Sequence, residues 1–390
     1  MYILTQKNKL INTDKVAKIT KNGSKISASM TDGSSIILGS YRKESEAINM
    51  MNKFIISQGS TSKFIFPPSK TPVRVPDAKV SNVEELLSAF SNLPAGSLIE
   101  ITRDIEVSSP LNISANVYAT IDFGDNALIV PEAVNNRSLY AINNYGDITI
   151  ENLTVEARGI QNYGKMTINN CDITDRDTNG GAALWTYAGS ETVINGGTFR
   201  ATYVGSVTED YGPGCINNSG VMTINSAHAI SASKRCYAII SGGAGAELTI
   251  NNAIVEGSHG GITDDGNLLV INGGTFSATE FYGLYVSTDH LLGNGESSVT
   301  INGGTFKGKK YSVYLGSDVY SPVDAAVRIN GGTFKNPMII QDNVTDDSLH
   351  GIQIYGGNFS DKPAASFIAE GYECSAEKNA SGYFVVTKVS

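Results

Sequence analysis

Six residues, Ile-Asn-Gly-Gly-Thr-Phe, occur four times in this chain, beginning at Ile194, Ile271, Ile301 and Ile329. Looser copies extend the series at Ile150-Glu151-Asn152, Ile168-Asn169-Asn170, Ile224-Asn225-Ser226, Ile250-Asn251-Asn252 and Ile354-Tyr355-Gly356-Gly357-Asn358-Phe359. The nine anchor isoleucines span 354 − 150 = 204 residues in eight intervals, about 25 residues per unit. A unit that short cannot bury an apolar face alone, so the units must stack.

Each unit has three parts. Before the anchor runs a short alternating segment, such as Asp147-Ile148-Thr149-Ile150 or Val221-Met222-Thr223-Ile224, the pattern of a half-buried strand. Asn-Gly-Gly then supplies residues that tolerate positive φ, which predicts a sharp bend. Five positions past each anchor the residue is always apolar (Val155, Ile173, Phe199, Ala229, Val255, Phe276, Phe306, Phe334, Phe359), so this column points inward on every turn. A third strand follows, as at Tyr282-Gly283-Leu284-Tyr285-Val286 and Tyr311-Ser312-Val313-Tyr314-Leu315, before a variable loop returns to the next anchor. Three short strands per turn with no helical period describe a parallel β-helix.

These units, with the tail from Gly356 to Tyr372, resemble the pectin-lyase-like right-handed parallel β-helix superfamily, in the repeat type of gut-bacterial surface and phage tail or virion proteins. The resemblance covers roughly residues 80 to 390. The expected fold class is mainly all-β, a right-handed parallel β-helix with three strands per turn behind a small N-terminal α+β module. The superfamily holds lyases, hydrolases and inert adhesive stalks, so it implies architecture and leaves activity open.

Residues 1–58 are expected to form the small module. Tyr2 to Leu4, Lys15 to Thr20, Lys25 to Met30 and Ser35 to Leu38 read as strands, broken by turn signals at Asn22-Gly23-Ser24 and Thr31-Asp32-Gly33. A helix is expected from Ser40 to Phe54. The module is similar to short proteins of unknown role in bacterial mobile elements at Leu38-Gly39-Ser40-Tyr41 to Glu46-Ala47. Residues 59–80, rich in proline and serine, read as a linker. The β-helix is placed at 81–360, opened by a capping helix whose Val83, Leu86, Leu87 and Phe90 share a face, with Ser81 or Asn82 as its cap. Residues 361–390 are expected to close the other end as a hairpin, because open solenoid ends expose strand edges.

A net charge of −9 disfavours nucleic acid and anionic membrane as partners. No apolar run reaches the length of a membrane span or signal peptide, so no membrane insertion is expected. A surface-type repeat without an export signal suits a virion protein, made in the host cytoplasm and released by lysis; the bacterial cell surface is the alternative. Cys171, Cys215, Cys236 and Cys374 lie far apart with no C-x-x-C, which reads as buried reduced thiols. No cofactor or metal is expected.

Catalytic signals are sparse. Enzymes of the family use acids on neighbouring turns, in the order Asn-Thr-Asp, Asp-Asp, Gly-His-Gly, Arg-Ile-Lys. Here His259 precedes Asp264 and Asp265 within one turn, the reverse order, and no Arg-Ile-Lys follows. These three are the only catalytic candidates, and no catalytic residue is assigned. Binding has better ones: Trp185, Tyr187, Tyr203 and Tyr211 beside Asp175, Asp177, Glu209 and Asp210, in or near variable loops, since aromatic faces next to carboxylates suit sugar rings. Tyr282, Tyr285, Tyr311, Tyr314 and Tyr320 form a second series, read as wall packing. The function expected is a non-enzymatic phage virion surface protein: a tail spike, head fibre or capsid decoration that attaches to other virion proteins through residues 1–58. Its β-helix would adhere to host surface glycan, and trimeric self-association is expected. A polysaccharide depolymerase and a bacterial adhesin or structural stalk are the alternatives.

Overall fold

The structure, a computed structural model, describes residues 2–4, 10–12, 14, 16–22, 25–31, 34–40, 50, 63–65, 75–131, 139–176, 181–203, 214–234, 236–243, 245–265, 268–287, 299–316, 327–340 and 352–389. From residue 78 onward it is a parallel β-solenoid. One rung runs Glu191–Ile194, Gly197–Ala201, Ile216–Asn218, and the next begins at Val221–Ile224. Among the described residues there are three sheets of twelve, thirteen and ten strands, here called the first, second and third; the second counts two antiparallel strands of a closing hairpin beside eleven from the repeat.

The anchors stack in register, Ile150 on Ile168 on Ile194 on Ile224, and all nine from Ile150 to Ile354 are fully buried. Five residues on, the second sheet's inner column is equally buried, and Phe276, Phe306, Phe334 and Phe359 stack face to face with centroids 4.9, 5.2 and 4.8 Å apart. The third sheet contributes Ile142, Ile160, Leu184, Ile216, Ile239, Ile262, Leu284 and Val313 to the same core. Parallel ladders with one apolar column per sheet bury a continuous core along the axis.

The bend between first and second sheets divides the labour of Asn-Gly-Gly in a way its letters do not announce. Positive φ falls on the second glycine, as at Gly197 (φ +112°), where a Cβ would lie 2.0 Å from the Cys171 carbonyl oxygen. The asparagine side chain has another task. Asn195, Asn225, Asn251, Asn272, Asn302 and Asn330 each donate Nδ2 to the Oδ1 of the asparagine one rung earlier, at 2.7–2.9 Å. The row ends on charge at both sides: Asn169 donates to the Glu151 carboxylate at 3.0 Å, and Arg328 Nε donates to Asn330 Oδ1 at 3.1 Å.

The helix Val83–Asn92 closes the N-terminal end. Asn82 caps it by accepting from the Glu85 N–H, and the Glu85 carboxylate takes the Ser81 N–H in return, a reciprocal cap. These hydrogen bonds to Ser81 hold the Glu85 carboxyl below its ordinary pKa. Leu86 and Ala89 are buried, while Leu87 is 43% exposed, so the inward face is turned away from the expected Leu87 and onto Ala89. At the other end Tyr372–Cys374 and Phe384–Lys388 form an antiparallel hairpin whose second strand lies on Gly357–Phe359, covering the second sheet's edge.

The N-terminal residues have a separate core of Ile3, Ile11, Ile26, Ala28 and Leu38. Val16–Asn22, Lys25–Met30 and Ser35–Ser40 form an antiparallel meander. Two strands were not anticipated: Leu10–Asn12, antiparallel to Tyr2–Leu4, and Lys63–Ile65, parallel to it. The second lies inside the expected linker, as does Ala78–Val80, which is the first strand of the first sheet. Three-residue strands carry too little period to stand out among Ser, Thr and Pro. The helix expected over 40–54 lies outside the described residues apart from Ser40, which ends a strand, and the helical Met50.

All four cysteines are free thiols. Burial pushes Cys171 and Cys236 up to about 12.

Candidate functional site

The connection from first to second sheet is always short, such as the two residues between Ile194 and Gly197. Length varies on either side of the third sheet, from Ala201 to Ile216 before it, and from Ser287 to Val299 and Gly316 to Val327 after it. A solenoid that varies only beside one face presents that face to partners.

The third sheet's outward column reads Asn112, Asn143, Gln161, Trp185, Asn217, Ile240, Thr263, Tyr285, Tyr314, in continuous register. None carries a charge. The outward sides of the first two sheets hold ion pairs instead, including Lys165–Glu191 at 2.9 Å and Arg176–Glu156 at 2.8 Å, and a His228–Glu256 hydrogen bond at 3.0 Å.

Two aromatic platforms interrupt the column. In the first, Tyr145, Tyr163 and Tyr187 stack with centroids 4.8 and 4.2 Å apart, and Trp185 lies 5.7 Å from Tyr187 at a 12° interplanar angle. Gln161 pins the stack, donating to the Tyr187 hydroxyl at 2.7 Å and accepting from the Tyr163 hydroxyl at 3.2 Å. Burial, with the Tyr163 phenol adding to it, pushes the Tyr187 phenol up to about 12, so it keeps its proton.

The platform is positioned from inside. Asn144 and Asn162 sit one residue before Tyr145 and Tyr163, with their amides turned into the solenoid and fully or almost fully buried. Asn144 donates to Asn162 Oδ1 at 2.8 Å and to the Lys165 carbonyl at 3.0 Å; Asn162 donates to Thr192 Oγ1 at 2.9 Å and to the Glu191 carbonyl at 2.9 Å. One rung on, Thr186 Oγ1 donates to Asn218 Oδ1 at 2.7 Å. Satisfied buried amides lock the corner on which the rings stand.

The second platform is Tyr282, Tyr285, Tyr311 and Tyr314. Tyr282 and Tyr314 stack at 4.7 Å, Tyr285 and Tyr314 at 5.7 Å, and Tyr282 and Tyr311 at 6.1 Å. Tyr237, His259 and Phe281 continue it toward the second sheet, with Lys310 Nζ 4.4 Å from the Phe281 ring centroid.

Of the expected binding residues, the structure joins Trp185 and Tyr187, with Trp185 mid-strand rather than at a loop junction. Tyr203 stands half-buried just past Gly197–Ala201. Asp175 requires correction: it ends the strand Cys171–Asp175 on the same side as Cys171 and Ile173 and is fully buried, so it cannot meet a ligand at the surface. Asp177, Glu209, Asp210, Tyr211 and Tyr320 lie outside the described residues. Tyr145, Tyr163 and Gln161 were missed, although Ile142-Asn143-Asn144-Tyr145-Gly146 and Ile160-Gln161-Asn162-Tyr163-Gly164 repeat one pattern and so announce one position.

The catalytic candidates do not converge. Asp264 faces the interior at 1% exposure, and Asp265, next on the strand, points the other way. His259 lies before that strand with Nδ1 2.9 Å from the Lys234 carbonyl oxygen, five residues or about 17 Å of extended chain from Asp264. The buried Asp264 and the oppositely directed Asp265 therefore do not present two carboxyls to one surface site, as a glycosidase requires. A shallow depression of about 490 Å³ on the second sheet is lined by Glu156, Asp172, Arg176 and Arg200 with three threonines, and its charges pair with one another, Arg200 lying 3.7 Å from Asp172. Among the described residues no group of three or more His, Cys, Asp or Glu could hold a metal ion. Comparison with protein-family models, curated proteins and solved structures returns no match.

Proposed function

We propose that this chain is a non-enzymatic adhesion protein that holds glycan against the third sheet of its β-solenoid. The observation that carries the reading is the continuous surface of Tyr145, Tyr163, Tyr187 and Trp185 on the face flanked by connections of varying length. The stacked rings and Trp185 make an apolar ridge against which the C–H faces of sugars can pack, and the half-buried amide of Gln161 suits their hydroxyls. The opposite directions of Asp264, buried, and Asp265 favour adhesion over depolymerisation. In the fuller form of this proposal the chain sits on a virion, attached through residues 1–58 to other virion proteins; the repeat resemblance supports that setting.

Binding to a panel of immobilised polysaccharides tests the reading, with Trp185→Ala/Tyr187→Ala as the comparison. Retention by at least one glycan, lost in the double variant with the melting curve preserved, is the expected result. Shortening of a polysaccharide on incubation with the protein would instead establish a depolymerase. Detection of the chain in purified phage particles, lost on deletion of residues 1–58, tests the setting.

A further inference from the structure

We propose that the third sheet binds a single uncharged polysaccharide chain laid lengthwise, in contact with both aromatic platforms at once. This rests on the glycan reading above and narrows it to a polymer of defined charge and minimum length. Trp185 and Tyr285 share one outward column, joined in unbroken register through Asn217, Ile240 and Thr263. Four rung steps of about 4.8 Å place the platforms about 19 Å apart along the axis. A terminal sugar or a disaccharide fills one platform, and only an extended chain reaches both.

The ground between the platforms suits such a chain. Asn217 is 5% exposed and its Oδ1 accepts from the Gly214 N–H at 2.8 Å, so it raises nothing across the path, and the half-buried Ile240 and Thr263 follow it, Thr263 carrying a hydroxyl for sugar hydroxyls. The two platforms also have the same construction. Tyr163 stacks on Tyr187 at 4.2 Å and Tyr282 on Tyr314 at 4.7 Å, so each offers rings already ordered by their neighbours, which lowers the entropy lost on binding.

Charge selects the class of polymer. A polyuronate or sialylated chain approaching a protein of net charge −9 needs cations along its track. The outward column from Asn112 to Tyr314 contains none; beside it, Asp265 ends the strand Gly260–Asp265 with the wrong sign, and Arg158, just before Ile160–Asn162, lies over the Tyr140 ring at 5.8 Å. Lys310, at the far corner, lies over the Phe281 ring. A neutral chain meets no such cost.

The experiment uses the full chain and calorimetric titration with glucan, mannan, galactan and xylan oligosaccharides from disaccharide to octasaccharide, with oligogalacturonates and sialylated chains of matched length. Linking two weak contacts through one ligand is expected to raise affinity about a hundredfold between disaccharide and octasaccharide of a neutral series, with acidic series bound more weakly. Tyr285→Thr/Tyr314→Thr is expected to return the octasaccharide to disaccharide affinity. Length-independent affinity for neutral sugars, tighter binding of acidic chains, or an octasaccharide indifferent to the double variant would each overturn the proposal while leaving adhesion intact. The length series on the unaltered protein decides the matter even where the variant folds poorly. Failure of every series and of the polysaccharide panel would instead remove the adhesion reading itself.

Discussion

Replacing Phe306 by alanine probes how the solenoid is held together. The ring is fully buried and stacked on both sides, 4.9 Å from Phe276 and 5.2 Å from Phe334. Truncating a buried phenylalanine costs about 3–5 kcal/mol, the spread reflecting how far the site can collapse. Here collapse is opposed, because Phe276 and Phe334 are each held in register by ladders to both neighbouring rungs. Two aromatic pairs are lost as well, each worth about 0.5–1.5 kcal/mol beyond area, so the upper half of that range is expected. Phe359 gives an internal control: it stacks only on Phe334, and its other neighbour is the half-buried Phe384 of the closing hairpin, which can move. Phe359→Ala should therefore cost less. Urea titration gives the order of the two, and hydrogen exchange locates the loss, since rungs of a solenoid couple mainly to nearest neighbours. Exchange should quicken in Thr275–Ala278 and Thr333–Phe334 before distant rungs. A Phe306→Ala loss below that of Phe359→Ala, or within error of zero, would refute the stacked-column account.

The other expected outcomes are brief. Native alkylation should modify Cys374 first, and unfolding should expose all four thiols, because Cys171, Cys215 and Cys236 are buried; rapid native labelling of Cys171 would contradict the packing. Folded-state pKa values of about 12 for Cys171 and Cys236 exceed those of the unfolded thiols, so their contribution is complete below about pH 8.5 and falls as pH rises toward 12. Melting curves across that window should show the decline. Chelator and reductant at neutral pH should leave the melting curve unchanged. Asn251→Asp places a carboxylate oxygen against Asn225 Oδ1, where an amide donates at 2.7 Å, and should destabilise more than Asn251→Ala at neutral pH, with partial recovery in acid as the carboxyl regains a proton; equal losses at all pH values would refute a directional hydrogen-bond row.

What was legible in the sequence was what each rung repeats. The anchor isoleucines and the residue five places on recur in type, so their common burial followed from the period alone. Partnerships between rungs were less visible. Asn195 and its counterparts invite assignment to the bend, and only the distance from Nδ2 to the preceding Oδ1 shows that the amides bond along the axis. Asp175 was misplaced for want of a parity count: two residues past an inward Ile173, it had to face inward too. The lone tryptophan drew attention from Tyr145 and Tyr163, whose shared Asn-Tyr-Gly setting marks them as rung-equivalent.

The asparagine row also bears on how long such a protein can be. Each of Asn195, Asn225, Asn251, Asn272 and Asn302 offers one donor backward and one acceptor forward, so any two of them fit as neighbours. Rungs matched in this way are interchangeable parts, and the chain can shorten or lengthen by whole turns without new chemistry at the corner. Excision of residues 273–302 joins Asn272 to Gly303, rebuilds Ile-Asn-Gly-Gly-Thr-Phe across the seam and sets Phe306 above Val255. The shortened chain should fold with one turn fewer by small-angle scattering; an unfolded product would mean that the turns are individually fitted, and the length of the solenoid would then be fixed by its sequence as a whole.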